Sequence, residues 1–252
     1  MKKQKCKPDC SAIVDIKSKF WILLLFATLF TCGCIGPYSD CITGSGNVVS
    51  EEFTVDEFHS VGFEVYGNLY VTQGAPQSLR IEAEDNVLEA LTAKVENGRL
   101  TISSDRCFGN IKPINVYVSM KEVRDLSSSG YGNIIGQSEI NSDTLKVSIS
   151  GSGSSDLTLH VEELNTAISG SGKSNLKGTA KVHNSVISGS GDINAFDLST
   201  ERTDITISGS GNVEVDASQE LDVSIFGSGN VYYTGDAALN QTVSGFGRVS
   251  KR

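Results

Sequence analysis

The chain has 252 residues, and its 30 Asp and Glu against 21 Lys and Arg give a net charge of −9 at neutral pH. This acidic balance disfavours a nucleic-acid-binding role, because phosphate backbones are bound by basic surfaces. Only 7% of the residues are aromatic and 26 are Gly. The core must therefore be built mainly from Ile, Val and Leu packed against small residues.

The N-terminal segment, residues 1–33, has the composition of an export signal. Six of the 21 basic residues and two of the 30 acidic residues lie there, and all of them precede the apolar run FWILLLFATLF at residues 20–30. This run is too short to cross a bilayer, which takes ~20 apolar residues, so it predicts a signal peptide. An uncleaved N-terminal anchor is the alternative. Both interpretations place the rest of the chain outside the cytoplasmic membrane.

The stretch TCGCIG at residues 31–36 follows this run directly. Its Gly33-Cys34 pair resembles the lipobox of exported lipoproteins, in which a small residue precedes the lipid-modified cysteine. Cys34 is therefore the predicted lipid-attachment site, and Cys32 is the weaker candidate. The pattern predicts a lipoprotein-type signal peptide over residues 1–33 and a short tether over 34–43. It also predicts an outward-facing protein held at the membrane of the cell envelope.

The remaining cysteines, Cys41 and Cys107, form an even pair in an oxidising compartment. Such a pair predicts either a disulfide or, as the alternative, two free thiols. The sequence has no C-x-x-C motif and no His-Cys cluster, so neither a metal site nor a cofactor is expected. The three histidines are scattered, and we interpret each as a surface residue: His59, His160 and His183.

An internal repeat dominates the second half of the chain. The pentapeptide ISGSG begins at Ile149, Ile168, Ile187 and Ile207, and the steps are 19, 19 and 20 residues. IFGSG and VSGFG follow at steps of 18, and SSGYGNI lies 21 residues upstream of Ile149. These copies define a regular repeat region over residues 128–247.

The repeat also explains a stretch that resembles a nucleotide site. AISGSGKSN, residues 167–175, contains the Gly-Lys-Ser half of a P-loop. A P-loop joins a strand to a helix, and no helical pattern follows here. Ala167 replaces the first P-loop glycine, and Lys173 occurs in one copy only. We therefore interpret the stretch as one turn of the repeat and expect no nucleotide site.

The copies alternate apolar and polar residues with period two, which predicts strands, and a period near 19 suits one coil of a β-solenoid. The sequence thus predicts an all-β, single-stranded β-helix with coils of about 18–21 residues. Stacked coils place equivalent residues in ladders that point into the core. The first predicted ladder is Ile149, Ile168, Ile187, Ile207, Ile225 and Val243. The second is Ile134, Leu157, Leu176, Ile193, Val213 and Val231, and a third side would hold Leu164, Val182, Leu198, Leu221 and Leu239.

The second ladder lies eight residues after the first in two copies and six after it in three. The difference is even, so side chains that alternate between faces would still point inward. The repeated glycines are expected at a narrow corner of each coil, where a Cβ would collide with the next coil. A functional alternative is that the Ser-Gly ladder binds a sugar polymer.

The ends of the domain depart from the repeat. Residues 44–125 read as strands and turns, with a short helix within AEDNVLEALTAKV, and we interpret them as imperfect early coils of one continuous domain. At the other end Phe226 and Phe246 replace Ser, and Tyr232 and Tyr233 are added. These aromatics predict a cap on the stack or, as the alternative, a contact between subunits. The basic tail RVSKR would discourage pairing with other chains.

The segments GSGNV, GSGDIN, SGYGNI, VYGNLYVTQG and VENGRLTIS together resemble the putative auto-transporter adhesin, head GIN domain family over roughly residues 44–250. The resemblance implies a β-helix similar to the pectin-lyase architecture and a head GIN-type domain over residues 44–252. It also implies a role in cell adhesion. No catalytic residues come with it.

Three functions are compatible with these features. The first choice is a surface binder without a catalytic site, with a polysaccharide or protein ligand, a membrane contact through the lipid anchor and no nucleic-acid partner. A homo-oligomer is an open alternative for its assembly. The second function is a polysaccharide-processing enzyme, which would need clustered acids. Asp156 and Asp192 occupy comparable turn positions and could meet on one face. The third is a purely structural envelope protein.

Overall fold

The structure, a computed structural model, describes residues 41–252. The predicted leader 1–33, Cys34 and most of the tether 34–43 lie outside the described residues. The described residues belong to one compact unit, and among them no helix is long and apolar enough to span a membrane. The elements described between residues 41 and 252 are β1 (Val48–Phe53), β2 (Ser60–Phe63), β3 (Gly67–Gln73), β4 (Ser78–Glu84), α1 (Asp85–Leu88), β5 (Thr92–Glu96), β6 (Arg99–Ser103), β7 (Ile114–Met120), β8 (Asp125–Gly130), β9 (Gly132–Gly136), β10 (Ile140–Gly151), β11 (Ser154–Gly170), β12 (Lys173–Gly189), β13 (Asp192–Gly209), β14 (Asn212–Gly227), β15 (Asn230–Thr234), β16 (Ala238–Gly245) and β17 (Arg248–Lys251).

The regular repeats form a parallel β-solenoid. Each of the long strands β11 to β14 follows almost one whole coil and pairs in parallel with the strand of the next coil. At the start of each coil the paired residues are 18 to 20 positions apart, as Lys173↔Asp192, Asp192↔Asn212 and Asn212↔Asn230 show. The predicted all-β solenoid and its coil length are confirmed, and so is the short helix, which is α1.

The first predicted ladder is confirmed along its whole length. Its isoleucines stack in register from Ile149 to Ile225, and Val243 continues the row in β16. Ser128 holds the equivalent position in β8 and is buried. The row therefore runs unbroken through the repeat region, and the spacing of ISGSG locates it correctly.

The second predicted ladder is wrong in two coils. Ile134, Ile193, Val213 and Val231 do stack, but Ser155 and Ser174 occupy the positions between Ile134 and Ile193. Their hydroxyls lie 2.6 Å apart and are completely buried, so each satisfies the other inside the core. Leu157 and Leu176 point inward as predicted but belong to a separate row, two residues further along their strands. The spacing of eight residues in these two copies is therefore not an insertion. The inward position six residues after the isoleucine is present there, and a serine occupies it.

The third predicted side also needs correction. Leu164, Leu221 and Leu239 share one inward row, but the residues between them are His183 and Thr203. Val182 is displaced by one position and points outward, and Leu198 belongs to the row of Leu159 and Gly178. A shift of one residue reverses the face of a strand, which is why counting from Leu164 to Val182 misplaced the row.

His183 is fully buried, so its interpretation as a surface residue is wrong. Its Nε2 lies 3.2 Å from the hydroxyl of Thr166, while Nδ1 has no hydrogen-bond partner. Burial without a charged partner lowers the pKa of His183 from 6.5 to about 4, so the ring is neutral at physiological pH. The other two histidines lie at or near the surface.

The early coils are not stacked in chain order. The coil of β2 and β3 lies between the coil of β6 and β7 on one side and that of β8 and β9 on the other. After β3 the chain passes through β4, α1 and β5 and returns as β6 and β7 on the outer side of the coil of β2 and β3. It then crosses to the opposite side of that coil, where it forms β8 and β9. The early strands belong to the same hydrogen-bonded sheet as the regular coils, but their coils are interleaved.

Antiparallel strands close this end of the solenoid. β4 pairs with the outer edge of β7, β1 pairs with β4, and β5 pairs with β6. A disulfide joins Cys41 to Cys107 with a Cα–Cα distance of 4.8 Å, and Ile42 forms a bridge with Phe108 beside it. The chain ahead of β1 is thereby fixed to the same end of the stack.

The aromatic residues at the other end do not form the predicted cap as a group. Tyr233 takes an inward position above Val215 and packs against the core. Phe226 and Phe246 project outward, and Phe246 is 88% exposed. The inward residues of β16, Leu239 and Val243, remain partly exposed.

Candidate functional site

One lateral face of the solenoid consists of the strand segments that follow each glycine turn. In its first outward row, side chains of neighbouring coils form hydrogen bonds with one another. Asn68 Nδ2 donates to Asn115 Oδ1 at 2.9 Å, and Asn133 Nδ2 donates to Asn68 Oδ1 at 3.1 Å. Further along the row, Asn212 Nδ2 donates to Asp192 Oδ1 at 2.9 Å. These groups serve the stack, because their hydrogen-bonding capacity is spent on neighbouring coils.

The second outward row begins with an aromatic stack whose groups are likewise engaged by contacts within the protein. Tyr70 and Tyr117 stack at 4.7 Å between centroids, and the Arg80 guanidinium covers the other face of Tyr117 at 3.9 Å. The Tyr117 hydroxyl donates to Glu82 Oε2 at 3.1 Å. Burial and this bond to a carboxylate raise the pKa of Tyr117. Both faces of the Tyr117 ring are covered, so this ring offers no platform for a sugar.

In the regular coils the same row consists of polar residues. Asp156, Asn175, Asn194 and Glu214 follow one another in register on β11 to β14. Here the face is concave, because Phe196 and its neighbours leave the regular register between Ala195 and Ser199. We call this concavity the lateral groove. It encloses about 460 Å³ and is lined by Asp156, Asn175, Leu176, Lys177, Asn194, Phe196, Asp197 and Glu214.

Three of the six polar side chains that line the lateral groove are free to bind a ligand. One hydrogen bond crosses it, from Asn194 Nδ2 to Asn175 Oδ1 at 3.1 Å. Among residues 41–252, the side chains of Asp156, Lys177 and Asp197 have no hydrogen bond or ion pair. The groove thus combines an amide pair, unpaired charges of both signs and the half-buried ring of Phe196. Polar groups around one apolar surface are the usual composition of a ligand site.

Arg252 closes one end of the lateral groove. Its guanidinium lies over the ring of Tyr232 at 4.3 Å and over Phe196 at 5.6 Å, and Nη1 is 3.6 Å from Glu214 Oε1. Arg252 therefore lies beside Phe196 and partly neutralises Glu214. The opposite end of the groove, at Asp156, is open.

A larger concavity of about 640 Å³ lies at a corner of the coils. Most of its charges are already paired, because Arg124 contacts Glu122, and Lys181 contacts Glu162, which leaves Asp143 as the unpaired lining charge. The His160 ring accepts or donates a hydrogen bond at 2.7 Å with Thr179. No aromatic residue lines it. It is therefore a weaker candidate for ligand binding than the lateral groove.

The acids considered for catalysis are not brought together. Asp156 and Asp192 lie on the same face, but Asn175 and Lys173 occupy the coil between them, and Asp192 is bound to Asn212. A different pair is adjacent: Asp204 and Asp222 stack in register on β13 and β14. Burial, and then the charge of Asp222, raise the pKa of Asp204. The two aspartates line a shallow concavity together with Arg202 and Glu220.

The stretch AISGSGKSN runs from β11 through a turn into β12. A strand follows the glycines where a P-loop requires a helix. Within residues 41–252, no group of three or more His, Cys, Asp and Glu side chains is placed to hold a metal ion.

Sequence reasoning missed most of the lateral groove. It considered Asp156 only as a catalytic acid that could meet Asp192, and it passed over Asn175, Lys177, Asn194 and Phe196. The signal was present, since the outward residue two positions after the start of each of β11 to β14 is polar. Reading that row across the copies would have placed an acid–amide–amide–acid strip on one face. The concavity beside Phe196 depends on a register shift that the repeat does not encode.

Known proteins resemble the chain in both sequence and structure. A putative adhesin from Bacteroides fragilis has a TM-score of 0.79 at 24% identity, and the match covers 84% of this chain and 100% of that one. A putative lipid binding protein from Parabacteroides distasonis has a TM-score of 0.70 at 22% identity, over 84% and 99% of the two chains. These likenesses show a shared fold. No curated protein matches the chain. The model of the family described as putative auto-transporter adhesin, head GIN domain matches residues 57–237, and the chain belongs to that family.

Proposed function

We propose that this protein is an exported, lipid-anchored surface solenoid that binds an extended ligand, a polysaccharide or a protein, without catalysing a reaction. The lateral groove carries the proposal, because it gathers the unpaired charges of Asp156, Lys177 and Asp197 around an amide pair and an aromatic ring. Membership of an adhesin family supports a surface location and a binding role. The neighbour described as lipid binding is only 22% identical, so its description brings no ligand to this chain.

The groove suits a ligand that carries many hydroxyl or amide groups. The Asn175–Asn194 pair can donate and accept at the same time, and the unpaired carboxylates of Asp156 and Asp197 accept hydrogen bonds. The ring of Phe196 offers an apolar surface for the C–H face of a sugar or for a side chain. The straight row of register partners favours an extended ligand that crosses several coils.

Phe196→Ala is expected to weaken binding to a retained polysaccharide about tenfold, because an aromatic contact contributes roughly 1–2 kcal/mol. Affinity electrophoresis in gels that contain the polymer measures this change. Tyr131→Ala is the matched control, since Tyr131 is an exposed aromatic residue outside the groove. Equal retardation of both variants would locate the binding surface elsewhere.

The lipid anchor is tested at Cys34. The full chain, produced in a lipoprotein-processing bacterium with labelled palmitate, is expected to incorporate label. Cys34→Ala should abolish incorporation, whereas Cys32→Ala should leave it unchanged. Label that persists in Cys34→Ala would contradict the assignment, and label lost only in Cys32→Ala would move the anchor by two residues.

The Asp204–Asp222 pair favours a second candidate function, a polysaccharide-processing enzyme. Two neighbouring carboxylates of which one keeps its proton are what glycoside hydrolysis requires, and the pKa of Asp204 is raised in that direction. Such an enzyme would shorten its polymer, and Asp204→Asn would stop the shortening. A protein that neither retains nor shortens any polymer and binds no surface protein would instead be a purely structural envelope component.

A further inference from the structure

A further concavity lies on the same lateral face, towards the end of the solenoid that the antiparallel strands close. It encloses about 470 Å³ between outward side chains of β4, β7 and β3 and the chain that follows β1, and we call it the terminal groove. Gln77 fixes its wall, because Phe58 N donates to Gln77 Oε1 at 3.2 Å and Gln77 Nε2 donates to the carbonyl oxygen of Asp56 at 2.9 Å. The groove is therefore formed before a ligand arrives.

Four polar side chains of the terminal groove form no hydrogen bond or ion pair with any residue from 41 to 252: Glu52, Thr54, Ser78 and Ser119. Thr72 Oγ1 donates to Gln137 Oε1 at 3.3 Å, which leaves the Gln137 amide nitrogen as a donor. Hydroxyls both donate and accept, and the carboxylate accepts. The terminal groove thus offers the same kinds of hydrogen-bonding group as the lateral groove.

A single outward row joins the two grooves. It starts in the terminal groove and ends in the lateral groove, and every step is a register pairing, through Arg80, Tyr117, Tyr70, Ile135 and Asp156. From β7 to β13 the row crosses five strand spacings, or about 24 Å. The two grooves are therefore parts of one path along the solenoid axis.

This path suits a glycan better than a peptide. An extended peptide is commonly bound by adding a strand to a free sheet edge, where main-chain hydrogen bonds supply the affinity. The strands beneath the path, from β7 to β13, pair on both sides, so their backbone groups are engaged within the stack. The path instead offers hydroxyls, amides and the ring of Phe196, which match the hydroxyls and C–H faces of sugars.

The charges along the path disfavour an acidic glycan. Among the described residues that line the two grooves, the unpaired negative charges are Glu52, Asp156 and Asp197, and the unpaired positive charge is Lys177. Arg80 is already paired with Glu82. A chain of uronic acids or sulfated sugars would therefore meet like charge at three of these four points. A neutral chain, or one that carries amino groups, meets no such repulsion.

We propose that one extended glycan without acidic groups occupies both grooves and follows the row between them. It is the ligand of the proposed function, on which this inference rests, extended to a second groove. The glycan runs along the solenoid axis and must be at least about 24 Å long to reach both grooves. A chain that contacts one groove meets the other intramolecularly, so its affinity exceeds that of either contact alone.

Isothermal titration calorimetry on residues 36–252 tests the path. The solved Bacteroides fragilis relative matches 84% of this chain with its whole length, so a chain of this extent folds separately. The probes are fragments of graded length from dextran, mannan and chitin, which are neutral, and from polygalacturonate, which is acidic. For at least one neutral series, two short fragments or one long fragment should bind per protein, the long one at least about tenfold more tightly. Polygalacturonate fragments should not bind.

Ser119→Tyr fills the terminal groove with a ring. It should reduce the number of bound short fragments from two to one and remove the gain of affinity with length. Ser148→Tyr is the matched control, because Ser148 is also a half-buried outward serine on an inner strand, β10, but lies on another face. Ser78→Ala combined with Ser119→Ala removes two hydroxyls without adding bulk, and it should weaken the binding of long fragments about tenfold.

The outcomes separate this path from the proposed function. Binding that needs Phe196 but is insensitive to fragment length and to Ser119→Tyr would overturn the path and leave the proposed function intact. A long fragment that occupies both grooves and is then shortened would contradict the proposed function and leave the path intact. The path would also be overturned if no neutral series binds, or if polygalacturonate binds more tightly than the neutral fragments.

Discussion

Gly189→Ala is expected to lower the free energy of unfolding by about 3 kcal/mol or more. Gly189 has φ +128°, a backbone conformation that costs other residues of order 1–3 kcal/mol. A Cβ there would also lie 2.4 Å from the carbonyl oxygen of Gly170 in the coil below. That oxygen belongs to the backbone and accepts a hydrogen bond from Ser190, so it cannot move without breaking the turn. Urea denaturation followed by circular dichroism measures the change.

Gly130→Ala is the matched control for this corner. Gly130 stacks in register with Gly151, as Gly170 does with Gly189, and its φ is +76°. A Cβ at Gly130 has nothing within 4 Å. We therefore expect only the conformational cost, about 1 kcal/mol. Equal losses in the two variants would show that backbone conformation, and not close coil approach, requires the glycines.

Acid is expected to destabilise the protein through His183. The pKa is 6.5 in the unfolded chain and about 4 in the folded chain, where the ring is buried. Between these values only the unfolded chain binds the proton. Stability is therefore fully present above pH 6.5 and falls as the pH drops towards 4, by up to about 1.4 kcal/mol per pH unit. The expected total loss is about 3 kcal/mol, measured by urea denaturation at pH 7, 6, 5 and 4.

His183→Leu should remove this part of the pH dependence. Leucine is the residue found at the same row position in Leu164 and Leu221, so it suits an inward side chain there. The variant leaves the Thr166 hydroxyl without its imidazole partner, so its stability at pH 7 is not the diagnostic quantity. The slope between pH 6.5 and pH 4 is the quantity to compare. The same slope in wild type and variant would assign the acid sensitivity to other groups.

The repeat predicts the regular coils because each coil experiences the same environment. A buried isoleucine must recur at one spacing to stack, and the glycine must recur where coils approach closely. Ile149 to Ile225 follow this rule, so their ladder was predicted correctly. The core tolerates polar residues when they satisfy each other, as Ser155 and Ser174 do. Such pairs look like gaps in an apolar pattern, and this is why the second ladder was misassigned.

The interleaved early coils could not be predicted from spacing. β2 pairs with β6 on one edge and with β8 on the other, and each pairing alone satisfies the strand pattern. Which coil lies outside is decided by the antiparallel strands β4 and β5, whose positions depend on long-range contacts. The lateral groove has a similar origin, because the register shift around Phe196 creates the concavity. Residue types in the groove could be predicted, but its shape could not.

We propose that the protein binds a surface polymer and leaves it intact. The most direct measurement incubates residues 36–252 with a panel of envelope and host polysaccharides and follows retention of the protein and polymer length in the same samples. We predict retention of at least one polymer without shortening, and weaker retention by Phe196→Ala. Shortening that Asp204→Asn abolishes would contradict the account and would make the Asp204–Asp222 pair the functional site.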